Sequence, residues 1–371
     1  MYDQIRGDLF YIMLYTAVIV MAILASCYLL FRKGNAFAAD ITPPVRLRRW
    51  TAAFFAVFVV NHVWYMGPLF FITSSDDVHL ANLVGGLIDC LTFFPLAIIV
   101  LFCMLQDRRR PLWPVAVMVM PLVVGMVWCV VTCSEVLFPV LIGYLLLMSI
   151  GLIVYMVFAL RQYGRWLRDN YADLEHKEVW QSLVVLALML LLFVFYTFLG
   201  NVTLFLYAYQ LFDIVFLGYL LWRVETLSDL SVPVNDVEEE ADVTVDVEDK
   251  DLPLSIHNHI GVLLQQHCID KQLYLQHDLN IIQLAKAIGT NRLYLSQYFS
   301  SQGTTYNNYI NDLRINHFIH LCREAADAQR SYTIQQLALE SGYRSYSTFR
   351  DVIKRKTGKS VRAWMKEFGE P

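Results

Sequence analysis

The chain has 371 residues, of which 57% are apolar types, 14% aromatic and only 17% charged, where an ordinary soluble domain carries about a quarter charged. Its formal net charge of −4 is a sum of unlike parts: +1 over residues 1–224, −10 over 225–251 and +5 over 252–371. A single soluble globule is excluded. The seven cysteines form no CxxC pair, so neither a disulfide framework nor a zinc site is signalled. Cys129 and Cys133 read as small apolar residues on one face of a membrane helix.

A bilayer core takes about 20 apolar residues in helix, because hydrocarbon offers no partner to an unpaired backbone group. Runs of that length cover residues 9–31, 50–72, 83–105, 112–133 and 136–160. The stretch 182–222 is too long for one span, and Gly200-Asn201 offers a turn, which divides it into 182–199 and 202–222. Seven spans result. The first is not read as a secretory signal, since its flank MYDQIRGD is not basic and further spans follow.

Positive charge alternates between the loops. Arg32, Lys33, Arg46, Arg48 and Arg49, then Arg108, Arg109 and Arg110, then Arg161, Arg165, Arg168 and Lys177, and finally Arg223 fall on one side, against Arg6 on the other. Positive residues stay on the cytoplasmic side, so the N-terminus is expected outside and the C-terminal part in the cytoplasm. Within the spans stand His62 (beside Asn61), Asp89 and Asp213. Ionisable groups are costly in lipid and face a bundle interior, so these three are candidates for a sensing site.

Residues 225–251 are dense in acid and poor in aromatics, the composition of a disordered tether. As a flexible coil such a stretch spans roughly 30 Å.

Residues 252–371 carry amphipathic helical periods and almost no strand signal. An internal repeat organises them: LAKAIG at 284–289 recurs 53 residues later as LALESG at 337–342. Each copy is followed by a polar turn and another helix, TNRLYLSQYF in the first and YRSYSTFRDVIKRK in the second. This is a helix-turn-helix written twice. Small Ala lets the two helices pack closely, Gly permits the turn, and Leu295 with Phe299, or Phe349 with Ile353, anchors the second helix. Asn291 suits the N-cap of the first such helix. Between the copies, 304–325 reads as a long helix that ends around Asp327–Ser331.

Residues ~278–368 resemble the AraC/XylS-type transcription regulator DNA-binding domain. The resemblance runs in order through DLNIIQLAKAIGTNRLYLSQYF, YINDLRINHF and SYTIQQLALESGYRSYSTFRDVIKRKTGKSVRAW, with a lead-in at 254–268 and KQLYLQHDL. Phe318 stands where the family commonly has Ala, Val361 where it has Pro, and Asp351 where a basic or polar residue is frequent.

The whole chain is expected to be all-α: the apolar runs give a seven-helix transmembrane bundle over 1–224, the composition gives an acidic linker over 225–251, and the resemblance implies an all-helical domain with two helix-turn-helix units over 252–371. Two recognition helices on one scaffold would read successive major-groove segments. The outward candidates are Asn291, Arg292, Leu293 and Gln297 in the first helix, and Arg344, Ser345, Tyr346, Ser347 and Arg350 in the second. Lys354, Arg355, Lys356 and Lys359 are expected on phosphates, where they add affinity without sequence information. The acidic linker is expected to shade this basic face.

His257, His259, His267 and His277 lack the spacing of a metal pair, and no nucleophile elbow, phosphate-cradling loop or HExxH occurs. Neither an enzyme nor a metal or cofactor is expected. The leading expectation is a membrane-tethered regulator in a bacterial inner membrane. Its partners would be double-stranded promoter DNA, the lipid bilayer, a small-molecule or protein signal, and a second copy in a homodimer. A second class also fits: a multi-span carrier or receptor-type protein whose DNA-binding domain is secondary or autoregulatory. Carriers usually show internal repeats and broken spans near the midplane, and none is legible here. A pure anchor would need only one span, which favours sensing.

Overall fold

The computed structural model describes residues 7–39, 41–72, 74–184, 187–188, 203–230, 254–329 and 331–367. Among them the fold is all-helical, with one isolated antiparallel bridge between Tyr171 and Asn280 and no strand. Contacts divide the chain into two compact units. One is Met1–Tyr163 with Val179–Val234, and the other is Gly164–Glu178 with Asn235–Pro371.

The first unit holds helices long and apolar enough to cross a membrane: α1 (Leu9–Phe31), α2 (Val45–Phe71), α3 (Ser75–Met104), α4 (Trp113–Thr132), α5 (Phe138–Asn170) and α6 (Phe205–Glu225). These six are counted among the described residues, and most of the expected span 182–199 lies outside them. Local chemistry sets the ends. Asp8 caps α1, its Oδ1 accepting from the backbone N–H groups of Phe10 and Tyr11 at 3.1 and 3.3 Å. Cys133 stops α4 in the left-handed region, at φ 49°. α3 begins earlier than its apolar run, and α5 continues past its own to Asn170.

Small and aromatic residues face inward: Val18, Ala22, Leu47, Ala52, Phe54 and Phe55 are buried, and the Ser26 hydroxyl donates to the Ala52 carbonyl at 2.9 Å. Large apolar residues face outward, among them Val117, Val124 and Val131 on α4 and Leu147, Ile150 and Phe158 on α5. An exposed apolar surface of this extent is consistent with a membrane domain.

The acidic linker begins later than its composition indicates. Glu225 sits fully buried in the last turn of α6, with Arg48 Nε 2.9 Å from its carboxylate. Leu227 and Leu230 are buried after it, and Gln106 brackets this stretch by donating to Ser228 O and accepting from Leu230 N. Residues 225–230 are therefore packed rather than part of a tether. A buried carboxylate holding a cation is inconsistent with a solvated acidic run. The remainder of the linker, from 231, lies outside the described residues.

The second unit contains α7 (Leu254–Leu264), α8 (Ile281–Ala287), α9 (Arg292–Ser301), α10 (Tyr306–Asp327), α11 (Ile334–Glu340), α12 (Tyr346–Thr357) and α13 (Val361–Glu367). The sequence repeat is visible at atomic level. α8 opens with a capping box of Asn280 and Gln283, and α11 opens with its counterpart, Thr333 and Gln336, 53 residues on. The spacing then slips by one. α9 is capped by Asn291 and α12 by Ser345, so the second turn is one residue longer. It accommodates Tyr343, whose buried ring lies 5.2 Å from that of Phe349.

Each repeat builds its own core. Leu284, Ala285, Leu295 and Phe299 belong to the first, and Leu337, Ala338, Phe349 and Ile353 to the second. α10 serves both, with Tyr306 and Ile310 in the first core and Phe318 in the second. Phe318 fills its place with rings: Phe349 lies 4.5 Å away and Trp364 6.1 Å. Arg314, also on α10 and buried, donates to the carbonyls of Tyr274 and Gln276 at 2.8 and 2.7 Å, pinning the lead-in segment across the domain. A guanidinium can be buried here because rigid backbone acceptors satisfy it.

Candidate nucleic-acid interface

The two second helices of the repeats carry the sequence-predicted reading residues. On α9, Arg292 and Leu293 are exposed, Gln297 is half-buried, and the Asn291 side chain is spent on capping, accepting from Tyr294 N at 2.8 Å. Tyr294 is also exposed and was not singled out by spacing alone. On α12, Arg350, Lys354, Arg355 and Lys356 stand exposed, with Lys359 just beyond its end. Arg344, Ser345, Tyr346 and Ser347 are half-buried.

Several of the basic residues are held by acids. Arg344 lies 3.7 Å from Asp278, Arg350 pairs with its neighbour Asp351 at 3.3 Å, Lys356 pairs with Asp312, and Lys359 with Glu367. Exposed pairs of this kind are worth little in water, so the cations can exchange them for phosphate at small cost.

The start of α12 is occupied. Gly164–Glu178, the last turns of α5 and the segment after them, belongs to this unit. Asn307 Nδ2 donates to the carbonyls of Tyr171 and Ala172 at 3.0 and 2.6 Å, and Asn311 Nδ2 donates to Ala172 O at 3.0 Å. Ala172 joins the first core and Tyr171 bridges to Asn280. Glu175 then reaches the N-terminus of α12. Its carboxylate accepts from Ser345 Oγ at 2.6 Å, from Ser347 Oγ at 2.8 Å and from the Thr348 hydroxyl. Burial alone would push this carboxyl up, but the three hydroxyls and the neighbouring His176 outweigh it and hold it below its ordinary range. Lys177, beside Asp173, Asp278 and Arg344, is buried and lowered by that burial. On the other reading helix, Arg292 lies near enough to the half-buried Asp169 to act on it electrostatically. Nothing in the local sequence of 164–178 signals these contacts.

The other candidate set lies in the first unit. His62 Nε2 is 3.6 Å from Asp213 Oδ2, its ring stacks on Phe58 at 4.2 Å, and Tyr15 donates its hydroxyl to His62 O at 2.6 Å. Asp89 is bound separately, accepting from Asn61 Nδ2 at 2.6 Å and from Tyr65 OH at 2.8 Å. The three ionisable groups thus form two polar pairs on α2, α3 and α6. Tyr65 reaches Asp89 across Gly85, where a Cβ would lie 2.7 Å from the Tyr65 ring. Asp89 opens a π-helical turn, Asp89–Phe93, a helix irregularity frequent at functional sites. Tyr65 and Gly85 carry no sequence signal of their own.

A family model described as a helix-turn-helix domain matches residues 284–367. No curated protein and no solved structure matches the chain. The matched segment runs from the first turn of α8 through α13 and includes both repeats. It supports a DNA-binding transcription regulator. Residues 284–367 are an AraC-type helix-turn-helix domain, carried on a chain whose N-terminal region is built of apolar helices consistent with a membrane domain.

Proposed function

We propose that the chain is a transcription regulator embedded in a bacterial inner membrane, with its N-terminus outside and its DNA-binding domain in the cytoplasm. One observation carries this reading: a duplicated helix-turn-helix on the same chain as several membrane-length apolar helices. DNA shares a compartment with the side on which the basic loops gather, as the positive-inside rule requires. Within the domain, Arg292, Leu293 and Gln297 on α9 and Arg344, Ser345, Tyr346, Ser347 and Arg350 on α12 contact base edges or the phosphates flanking them. Lys354, Arg355, Lys356 and Lys359 hold the backbone. Asn291 acts by capping α9.

The membrane part senses. Its buried polar pairs, His62 with Asp213 and Asp89 with Asn61 and Tyr65, span three helices. A ligand or proton that favours a different pairing would shift those helices. Bilayer lipid, promoter DNA, the signal and a second copy of the chain are the partners of this reading.

The test is separation of cell membranes followed by DNA binding in the membrane fraction. The full chain should pellet with inner membranes and retain promoter fragments, and Arg350→Ala should relax base preference while Lys356→Ala weakens all sequences about equally. Recovery in the soluble fraction, or identical behaviour of the two variants, would overturn it.

A further inference from the structure

The strongest unexplained feature is the acid seated on a reading helix. The Ser345, Ser347 and Thr348 hydroxyls converge on one carboxylate at the N-terminus of a twelve-residue helix, α12. Hydroxyls and a helix N-terminus are also the groups that hold a DNA phosphate. Glu175 therefore takes the place of an anion of the nucleic acid. It is not a chance surface contact, because the chain that carries it is fastened independently. Two buried asparagines of α10 hold the Tyr171 and Ala172 carbonyls, and Ala172 is itself part of the first core. A second acid of the same segment, Asp169, lies within electrostatic range of Arg292 on α9, after the nearer Arg168 and Arg165.

We infer that Gly164–Glu178 is an autoinhibitory arm, and that the face formed by Asn280, Asn307, Asn311, Ser345, Ser347 and Thr348 is its docking surface. This rests on the DNA-binding reading above. DNA and the arm compete for the same donors on α12, so a duplex binds fully only when Glu175 leaves. The arm is the last seven residues of α5 and the segment 171–178 that follows it. A movement of α5 pulls on it directly, because the arm begins as the end of that helix. Binding is reciprocal: whatever releases the arm tightens DNA, and DNA in turn favours the released arm.

The experiment uses the full chain in lipid nanodiscs and a random-sequence 30-base-pair duplex as the probe, its length chosen to give about three helical turns. Backbone hydrogen exchange is followed over 171–178 with and without duplex. Loss of protection there on DNA saturation supports the arm; unchanged or greater protection with DNA bound overturns it. In parallel, Glu175→Gln removes the charge but keeps the shape, and its affinity for the duplex should rise about tenfold, the scale of one lost charge-assisted contact network. Unchanged affinity in Glu175→Gln would overturn the arm while leaving DNA binding standing. If neither the wild type nor Glu175→Gln binds duplex, the DNA-binding reading fails and the arm fails with it.

Discussion

The two helix-turn-helix repeats share one sequence pattern but differ at the turn. In the first, Gly289 adopts φ +73° in open space and Asn291 caps α9 with its own side chain. In the second, Gly342 sits at φ +92° with its missing Cβ only 2.7 Å from Leu275 Cα, and the cap residue Ser345 is shared with Glu175. The turn and second-helix cap of the first repeat are closed by its own residues, although its core also takes in Ala172 and the lead-in. The turn and cap of the second are completed by residues far away in sequence, namely Leu275 of the lead-in and Glu175 of the arm. A turn that depends on distant partners can be switched by them.

The sharpest way to break that comparison is at the two glycines. Gly342→Ala forces a side chain into backbone and should cost about 3–4 kcal/mol, enough to unfold a marginal domain. Gly289→Ala meets only the left-handed backbone and should cost about 1 kcal/mol. Hydrogen exchange of the full chain over a denaturant series, followed over Leu284–Phe299 and Leu337–Ile353, would measure both. Equal losses would contradict the asymmetry. For recognition, Arg350→Ala should cost about 1–3 kcal/mol against a preferred site. Selection of duplexes from a random pool would check whether its preferred bases change.

The caps give a smaller contrast. Asn291→Ala loses one helix-capping bond and should destabilise by about 1 kcal/mol. Ser345→Ala loses a similar cap but also a Glu175 partner, so its effect should shrink in a Glu175→Gln background while that of Asn291→Ala stays constant. Thermal melts of the three single and two double variants decide it.

The smallest effect is in pH. Glu175 is held below its ordinary value, so the stability it adds is present above that value and is lost as pH falls through the depressed one. His176 and Lys177 act on it, Lys177 being itself beside Asp173, Asp278 and Arg344, and the hydroxyls of α12 do not titrate there. The gap in melting temperature between wild type and Glu175→Gln, open at pH 7, should narrow below about pH 4.3, the ordinary Glu value. A gap that does not change with pH would contradict it.

Much of this was legible in the residues because it is local. The LAxxxG copies, the Leu295 and Phe349 anchors, the Asn291 cap and the long helix before Asp327 all follow from spacing of three and four, and the structure places each as expected. The apolar runs declare themselves by length. What was illegible is non-local. Glu175 reads as an unremarkable loop acid, and only the fold brings it to Ser345, 170 positions away. Asn307 and Asn311 read as polar helix residues until they are found gripping two carbonyls of the same loop. Glu225 reads as linker by composition, although its burial against Arg48 claims it for the first unit.

A membrane-embedded chain that reads DNA through both repeats needs both α9 and α12 at its promoters. Genome-wide crosslinking of the full chain in its own cells, set against a chain carrying Arg292→Ala and Arg350→Ala, tests it most directly. The account predicts enrichment of discrete promoter segments by the wild type, lost in the double variant. The same fragments recovered from both chains would contradict it.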